Sequence, residues 1–316
     1  MALAAAELDR LDRQVLSLFS PSVRSGLLDY FARRPDAALT VQEIRLRKGR
    51  PVSIVRPDGD SLIQPLVTQD DIDKTLSLIT DCSYYALENE LANGYITVPG
   101  GHRVGLTGQT AVWADGSIRI REVSGFCFRV AREVKGVAER IIRHLMGPWP
   151  GRLASTLIIS PPGCGKTTLL RDLCRLAGEG VPQIGLRPAQ VGIVDERSEI
   201  AACHRGVPQH DVGPRADVLD RCPKARGMMM LQRSMGPGVI ATDEIGSEED
   251  ARAVAAVLAG GASVLATCHG RDILQVKKQP HSAWLIEKGY FQKAVVLSRR
   301  LGPGTVEYVG DVNGHV

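Results

Sequence analysis

The sequence predicts an α/β protein, a parallel sheet covered by helices on both faces, preceded by an N-terminal α+β domain. Three observations carry this expectation. Four short strands read apolar throughout, TLIIS (156–160), VGIVD (191–195), GVIATD (238–243) and ASVLAT (262–267), and they alternate with helical stretches. That is the pattern of a parallel sheet buried on both sides. The first of them runs directly into a glycine-rich turn and a leucine-spaced helix, whereas upstream of about residue 145 the chain turns to short alternating strands.

Taken in order, residues 5–18 place Leu8, Leu11, Val15 and Leu18 at helical spacing, and Pro21 ends that helix before a second short one over Val23–Ala32. From 41 to 66, VQEIRLR, PVSIV and SLIQPLV are separated by KGR and PDGD turns and read as antiparallel strands. Residues 69–92 look helical twice over, with a break near Asp81–Ser83. Glycines at 94, 100, 101, 105 and 108 then punctuate a β-rich, arginine-rich stretch that runs to about 132. Gly147-Pro148-Trp149-Pro150-Gly151 packs two prolines and two glycines into five residues, a turn or linker. The expected domains are therefore 1–145, with a helical start and short antiparallel strands, and 152–316, the α/β domain. No internal repeat or low-complexity tract interrupts either.

Composition narrows the function classes. A net charge of +4 over 316 residues is too slight to argue for an acidic partner, and 4% aromatics supply no stacking platform for single-stranded nucleic acid. Seven scattered cysteines, odd in number and without a C-x-x-C pair, point to a reducing compartment. Cys203, His204 and His210 fit no zinc spacing. The first fifteen residues mix acids and bases, unlike a signal peptide, and no apolar run approaches a bilayer span. A cytoplasmic protein is expected.

The chemistry begins at Ser160-Pro161-Pro162-Gly163-Cys164-Gly165-Lys166-Thr167-Thr168. This follows G-x-x-x-x-G-K-[ST] with Ser160 at the first glycine. Gly163 and Gly165 would let backbone N–H groups turn inward around phosphate oxygens, Lys166 would meet the β- and γ-phosphates, and Thr167 would offer a hydroxyl to Mg²⁺. The helix through Leu169, Leu170, Leu173 and Leu176, closed by Gly178, would point its positive end at the phosphates.

Asp243-Glu244 at the end of an apolar strand supplies the acidic partner: Asp243 for the metal, Glu244 to polarise the attacking water. Asp195-Glu196 closes a second strand, so Asp195 is a candidate metal ligand and Glu196 a candidate for arranging water; acids decorating a helix start is the plainer reading. Thr267 or His269 ends a strand expected beside the phosphate-loop strand and could sense the γ-phosphate. Among Arg119, Arg121, Arg129 and Arg132, Arg121 and Arg132 are candidates to neutralise transition-state charge from a neighbouring subunit, with Arg226 and Arg233 behind them. Met228–Met230 reads as packing.

These residues together resemble the stage III sporulation protein AA family of the secretion ATPases, RecA-like P-loop motors related to type II and type IV secretion and pilus-retraction ATPases. The resemblance spans most of the chain: EIRLRKGRPVSI, GYITVPGGHRVGLTG, GFCFRVAREVKG, ISPPGCGKTTLLRDL, VDERSEIA, DVLDRCPKARGMMMLQRSMGPGVIATDEIG and ATCHG. It implies a RecA-like P-loop domain and a homo-hexamer with ATP and Mg²⁺ between subunits. Asp195-Glu196 would match the family's acidic box, Asp243-Glu244 its Walker B pair and His269 its histidine box, with arginines reaching across from the N-terminal domain. It further implies a motor on the mother-cell cytoplasmic side, energising a sporulation channel through membrane partner proteins. The loop VPQHDVGPRAD receives no role. Three rivals stay open: a RecA-like nucleic-acid-associated ATPase, a P-loop kinase for a small molecule, and a hexamer that binds nucleotide without turnover.

Overall fold

The computed structural model describes residues 2–80, 95–113, 116 and 118–314. The chain divides into two compact units, Met1–Arg132 and Glu133–Val316. The second of the two helical stretches expected within 69–92 lies outside the described residues, as does the side chain of Arg119.

The first unit opens with α1 (Ala2–Gln14), α2 (Pro21–Arg33) and α3 (Pro35–Thr40). Three strands follow, β1 (Glu43–Arg47), β2 (Pro51–Arg56) and β3 (Gly59–Leu66), then α4 (Gln69–Thr80), β4 (Tyr95–Val98), β5 (His102–Val112) and β6 (Ile118–Arg129). The strands form one antiparallel sheet in the order β3-β2-β1-β6-β5-β4. Ile44 and Leu46 of β1, Val52 and Ile54 of β2 and Phe126 and Phe128 of β6 point into one core with Phe19, Leu27 and Phe31 from the helices. Alternate strand residues share a face, so the period-2 pattern puts these side chains on the helix-covered side.

The second unit builds β7 (Thr156–Ser160), α5 (Lys166–Glu179), β8 (Val191–Asp195), β9 (Ala216–Asp220), α6 (Lys224–Ser234) and β10 (Val239–Glu244). It continues with α7 (Glu248–Ala259), β11 (Ser263–His269), α8 (Ile273–Val276), α9 (Pro280–Glu287), β12 (Lys293–Ser298) and β13 (Thr305–Asp311). Sheet order is β13-β12-β7-β11-β10-β8-β9, parallel except for β13, which pairs antiparallel with β12. Two cores flank it. Ile158, Ile193, Ala241, Leu265 and Val295 face one, and Leu157, Ile159, Val194, Ile240, Val264 and Val296 face the other. Burial on both faces is why these strands read apolar at every position.

Two features differ from the sequence expectation. Residues 133–145 belong with the second unit, because Ala138, Ile141, Ile142 and Leu145 enter the core beneath α5 and the Ala138 amide donates to Asp172 at 2.8 Å. Gly147–Gly151 is the turn the sequence allows, set within that unit and closed by Gly147 N to Arg152 O and Ala154 N to Leu145 O, each 2.8 Å. The helix α5 runs through the buried Gly178 and is capped at Gly180, whose φ of 77° suits a residue without a side chain. The loop after β8 returns to residues 133–135: the Asp211 amide donates to Glu133, and Lys135 pairs with Asp211 at 2.6 Å.

Candidate functional site

In the second unit, the β7–α5 turn lies at the carboxyl edge of the parallel sheet, where ligands bind in open α/β folds. Gly163 and Gly165 take φ of 70° and 93°, and a side chain on Gly163 would in addition strike Arg299. Ser160 is the last residue of β7, so extended backbone suffices where the usual pattern has glycine. Its hydroxyl donates to Pro161 O at 2.8 Å. Two elements that the sequence reading passed over brace the turn: Arg299 Nε donates to Gly163 O and Gly304 N to Cys164 O, both at 2.9 Å, from the β12–β13 connection.

Lys166 begins α5 and is almost buried. Its ammonium donates to Ser160 O at 2.9 Å and Pro161 O at 3.2 Å and lies 3.1 Å from His269 Nδ1. A charged lysine only donates, so Nδ1 accepts and the ring proton sits on Nε2, 3.0 Å from Glu244 Oε2. Lys166, His269 and Glu244 thus form one chain across the phosphate loop. Register explains the meeting: His269 pairs with Ser160 across β11 and β7, as the sequence reading expected of that strand. Burial lowers the Lys166 pKa, with Glu244 opposing it.

Asp243 sits at a bulge where β10 slips one residue against β11, which re-aims its side chain. Both carboxylate oxygens are buried and accept no hydrogen bond among the described residues. Lys224 Nζ stands 3.4 Å from Oδ1. Burial pushes Asp243 up to about 6; Lys224 opposes this while Asp195 and Glu196 add to it. A buried carboxylate without donors is costly unless something else completes it. Thr167 lines the same cleft of about 740 Å³, with Gly163, Gly165, Lys166, Glu244 and His269. An oxygen-only pair facing a phosphate loop suits Mg²⁺, so Thr167 and Asp243 fit that ion.

The remaining candidates separate. Asp195 is fully buried and spends both oxygens on its own loop, accepting from the amides of Glu199 (2.8 Å), Ile200 (3.0 Å) and Ala201 (2.8 Å). The metal role expected of Asp195 does not fit this geometry, because both oxygens are buried against the amides of its own loop. Arg171 of α5 grips the same loop, donating to Glu199 O at 2.8 Å and to Ile200 O. Glu196 is half-exposed and hydrogen-bonds Lys224. In the first unit, Arg132, a candidate to act on a neighbour's site, donates to Val41 O at 2.5 Å and Ala38 O at 2.8 Å and so braces its own unit. Arg121 is exposed on β6, and Arg226 and Arg233 are exposed on α6. Met228 is core, while Met230 is exposed.

A further residue the sequence reading missed is Lys224, in the cleft lining. Its signal was present: a lysine opening a helix with no acid in the first turn opposes the helix dipole.

Sheet order, phosphate loop and strand-end acids define a RecA-like P-loop domain. Solved structures agree on the fold. The pilus retraction motor PilT with bound ADP superposes with TM-score 0.56 at 14% identity, covering 84% of this chain and 76% of that one. The Legionella pneumophila ATPase DotB gives 0.54 at 15% identity, covering 85% and 75%. The chain belongs to the family Sporulation stage III, protein AA, whose match spans residues 10–316. It is 44% identical to Stage III sporulation protein AA of Bacillus subtilis (strain 168) over 88% of this chain and 89% of that protein. The family resemblance seen in the sequence is therefore borne out. Among the described residues no helix is long and apolar enough to cross a membrane.

Proposed function

We propose that this chain hydrolyses ATP as a secretion-type motor, working as a homo-hexamer on the cytoplasmic, mother-cell side of a sporulation channel made by membrane partner proteins. The observation that carries the chemistry is the buried Asp243 carboxylate, which faces the phosphate loop and accepts no hydrogen bond among the described residues, with Glu244 held beside it by His269. The 160–168 turn and α5 bind the phosphates through backbone amides and the helix end. Lys166 exchanges its contact with His269 for phosphate oxygens, which loosens Glu244 from the Lys166–His269 chain only when nucleotide is present. Mg²⁺, when bound, neutralises phosphate charge, and Thr167 and Asp243 would hold it. Glu244 orients the attacking water and accepts its proton as the water oxygen bonds to the γ-phosphorus and ADP departs with the bridging oxygen. Arg121, exposed on the first unit, is the first candidate to complete a neighbour's site, with the exposed Arg226 and Arg233 behind it.

ATP hydrolysis measured against protein concentration, with light scattering in parallel, tests this reading. Activity that rises with assembly to about six subunits, and is lost in Lys166→Ala and Glu244→Gln, is the expected result. Turnover by a monomer at constant specific activity would contradict the shared-site motor.

A further inference from the structure

Lys224 occupies an unfavourable place for a cation. It is the first residue of α6, at the positive end of the helix dipole, and its side chain is only 11% exposed. Two carboxylates from different strand ends hold it there. Glu196, one residue beyond β8, hydrogen-bonds its ammonium, and Asp243 Oδ1 lies 3.4 Å away. Asp250 of α7 adds a more distant negative charge. Asp195 and Glu196 both press negative charge on Asp243, and Lys224 offsets it.

We propose that Lys224 is the standing counter-ion of the metal site, a positioning residue that bridges Glu196 and Asp243 in the nucleotide-free chain and discourages a divalent cation from binding alone. This rests on the nucleotide reading above. A dication arriving without phosphates would meet an ammonium beside its principal carboxylate, a repulsion that is strong where water is largely excluded. A dication that arrives on nucleotide phosphates brings compensating negative charge, and Lys224 keeps Glu196 as its partner while ceding Asp243. The lysine would thereby couple the two acidic strand ends and link metal entry to nucleotide entry.

Mn²⁺ binding, followed by the loss of the free-ion EPR signal, tests this in the full chain with and without ADP. Wild type should bind Mn²⁺ alone weakly. Lys224→Met and Lys224→Gln should bind it at least about tenfold more tightly, Lys224→Arg should behave like wild type, and adding Asp243→Asn to Lys224→Met should abolish the gain. Circular dichroism confirms that each variant is folded, and two neutral substitutions guard against one failing to fold. Unchanged Mn²⁺ affinity in the neutral variants, while wild type still takes up Mn²⁺ with ADP, would overturn the role of Lys224 and leave the nucleotide reading intact. Failure of wild type to bind Mn²⁺ even with ADP would overturn both.

Discussion

The ends of β8 and β10 are neighbours in one parallel sheet, and each carries a buried aspartate followed by a glutamate. At the end of β8 three backbone amides satisfy Asp195, and Arg171 grips the same loop. At the end of β10 Asp243 accepts no hydrogen bond among the described residues and leans on Lys224. One carboxylate organises a loop; the other is held in readiness. Burial alone therefore does not mark function. A buried charge whose lone pairs are left unused does, because folding gains nothing from it that a neutral residue would not supply.

The largest expected effect sharpens the β10 side. Glu244→Gln should lower ATP turnover by about 10²–10⁴-fold, the range for a removed general base, with nucleotide affinity retained in equilibrium binding. Loss of affinity alongside turnover would make Glu244 a binding group. On the β8 side the effect should fall on stability. Asp195→Ala strands three amide donors and should cost about 3 kcal/mol in urea unfolding, while Asp243→Ala, which removes a buried carboxylate that accepts no hydrogen bond and leaves Lys224 its partner Glu196, should cost far less. Equal losses would erase the distinction.

Acid titration extends the comparison to the first unit. Asp71 is also buried, which works upward on its pKa, but hydrogen bonds from Ser20, Ser22 and Thr68 outweigh this and hold it at about 2. Its folded pKa lies below the ordinary 3.8, so its stabilisation is present above pH 4 and is lost as pH falls toward 2. Asp243 has the opposite sign. With a folded pKa of about 6, it favours the folded, metal-free chain below pH 4 and withdraws that contribution as pH rises through 6. Denaturant unfolding across pH should show Asp71→Asn flattening the acid limb and Asp243→Asn flattening the slope between pH 4 and 6. The smallest effect belongs to the brace on the phosphate loop: Arg299→Ala, which loses one hydrogen bond to Gly163 O, should weaken nucleotide binding several-fold, about 1 kcal/mol.

The sequence exposed four of the elements whose burial is near-uniform, and passed over a fifth, β12. β7, β8, β10 and β11 are apolar along their length because both faces are covered, and the phosphate loop carries its glycines where positive φ is required. β9 was passed over because ADVLD is a half-exposed edge strand with acids at alternate ends. At 147–151 the prolines and glycines make the turn that the sequence allows, but the units divide at 132/133, because residues 138–145 are apolar enough to enter the second core. The two Asp-Glu pairs were indistinguishable as text. What separates Asp195 from Asp243 is the path of residues 199–201, which curls three amides onto one carboxylate and none onto the other.

The difference between those aspartates is tested most directly by calorimetric titration of ADP, with and without Mg²⁺, into wild type, Asp243→Asn and Asp195→Asn, each with its melting temperature. Asp243→Asn should lose the Mg²⁺-dependent gain in affinity without a fall in melting temperature, and Asp195→Asn should melt lower yet keep that gain while folded. A stable Asp195→Asn without the Mg²⁺ effect, beside an Asp243→Asn that retains it, would contradict the account.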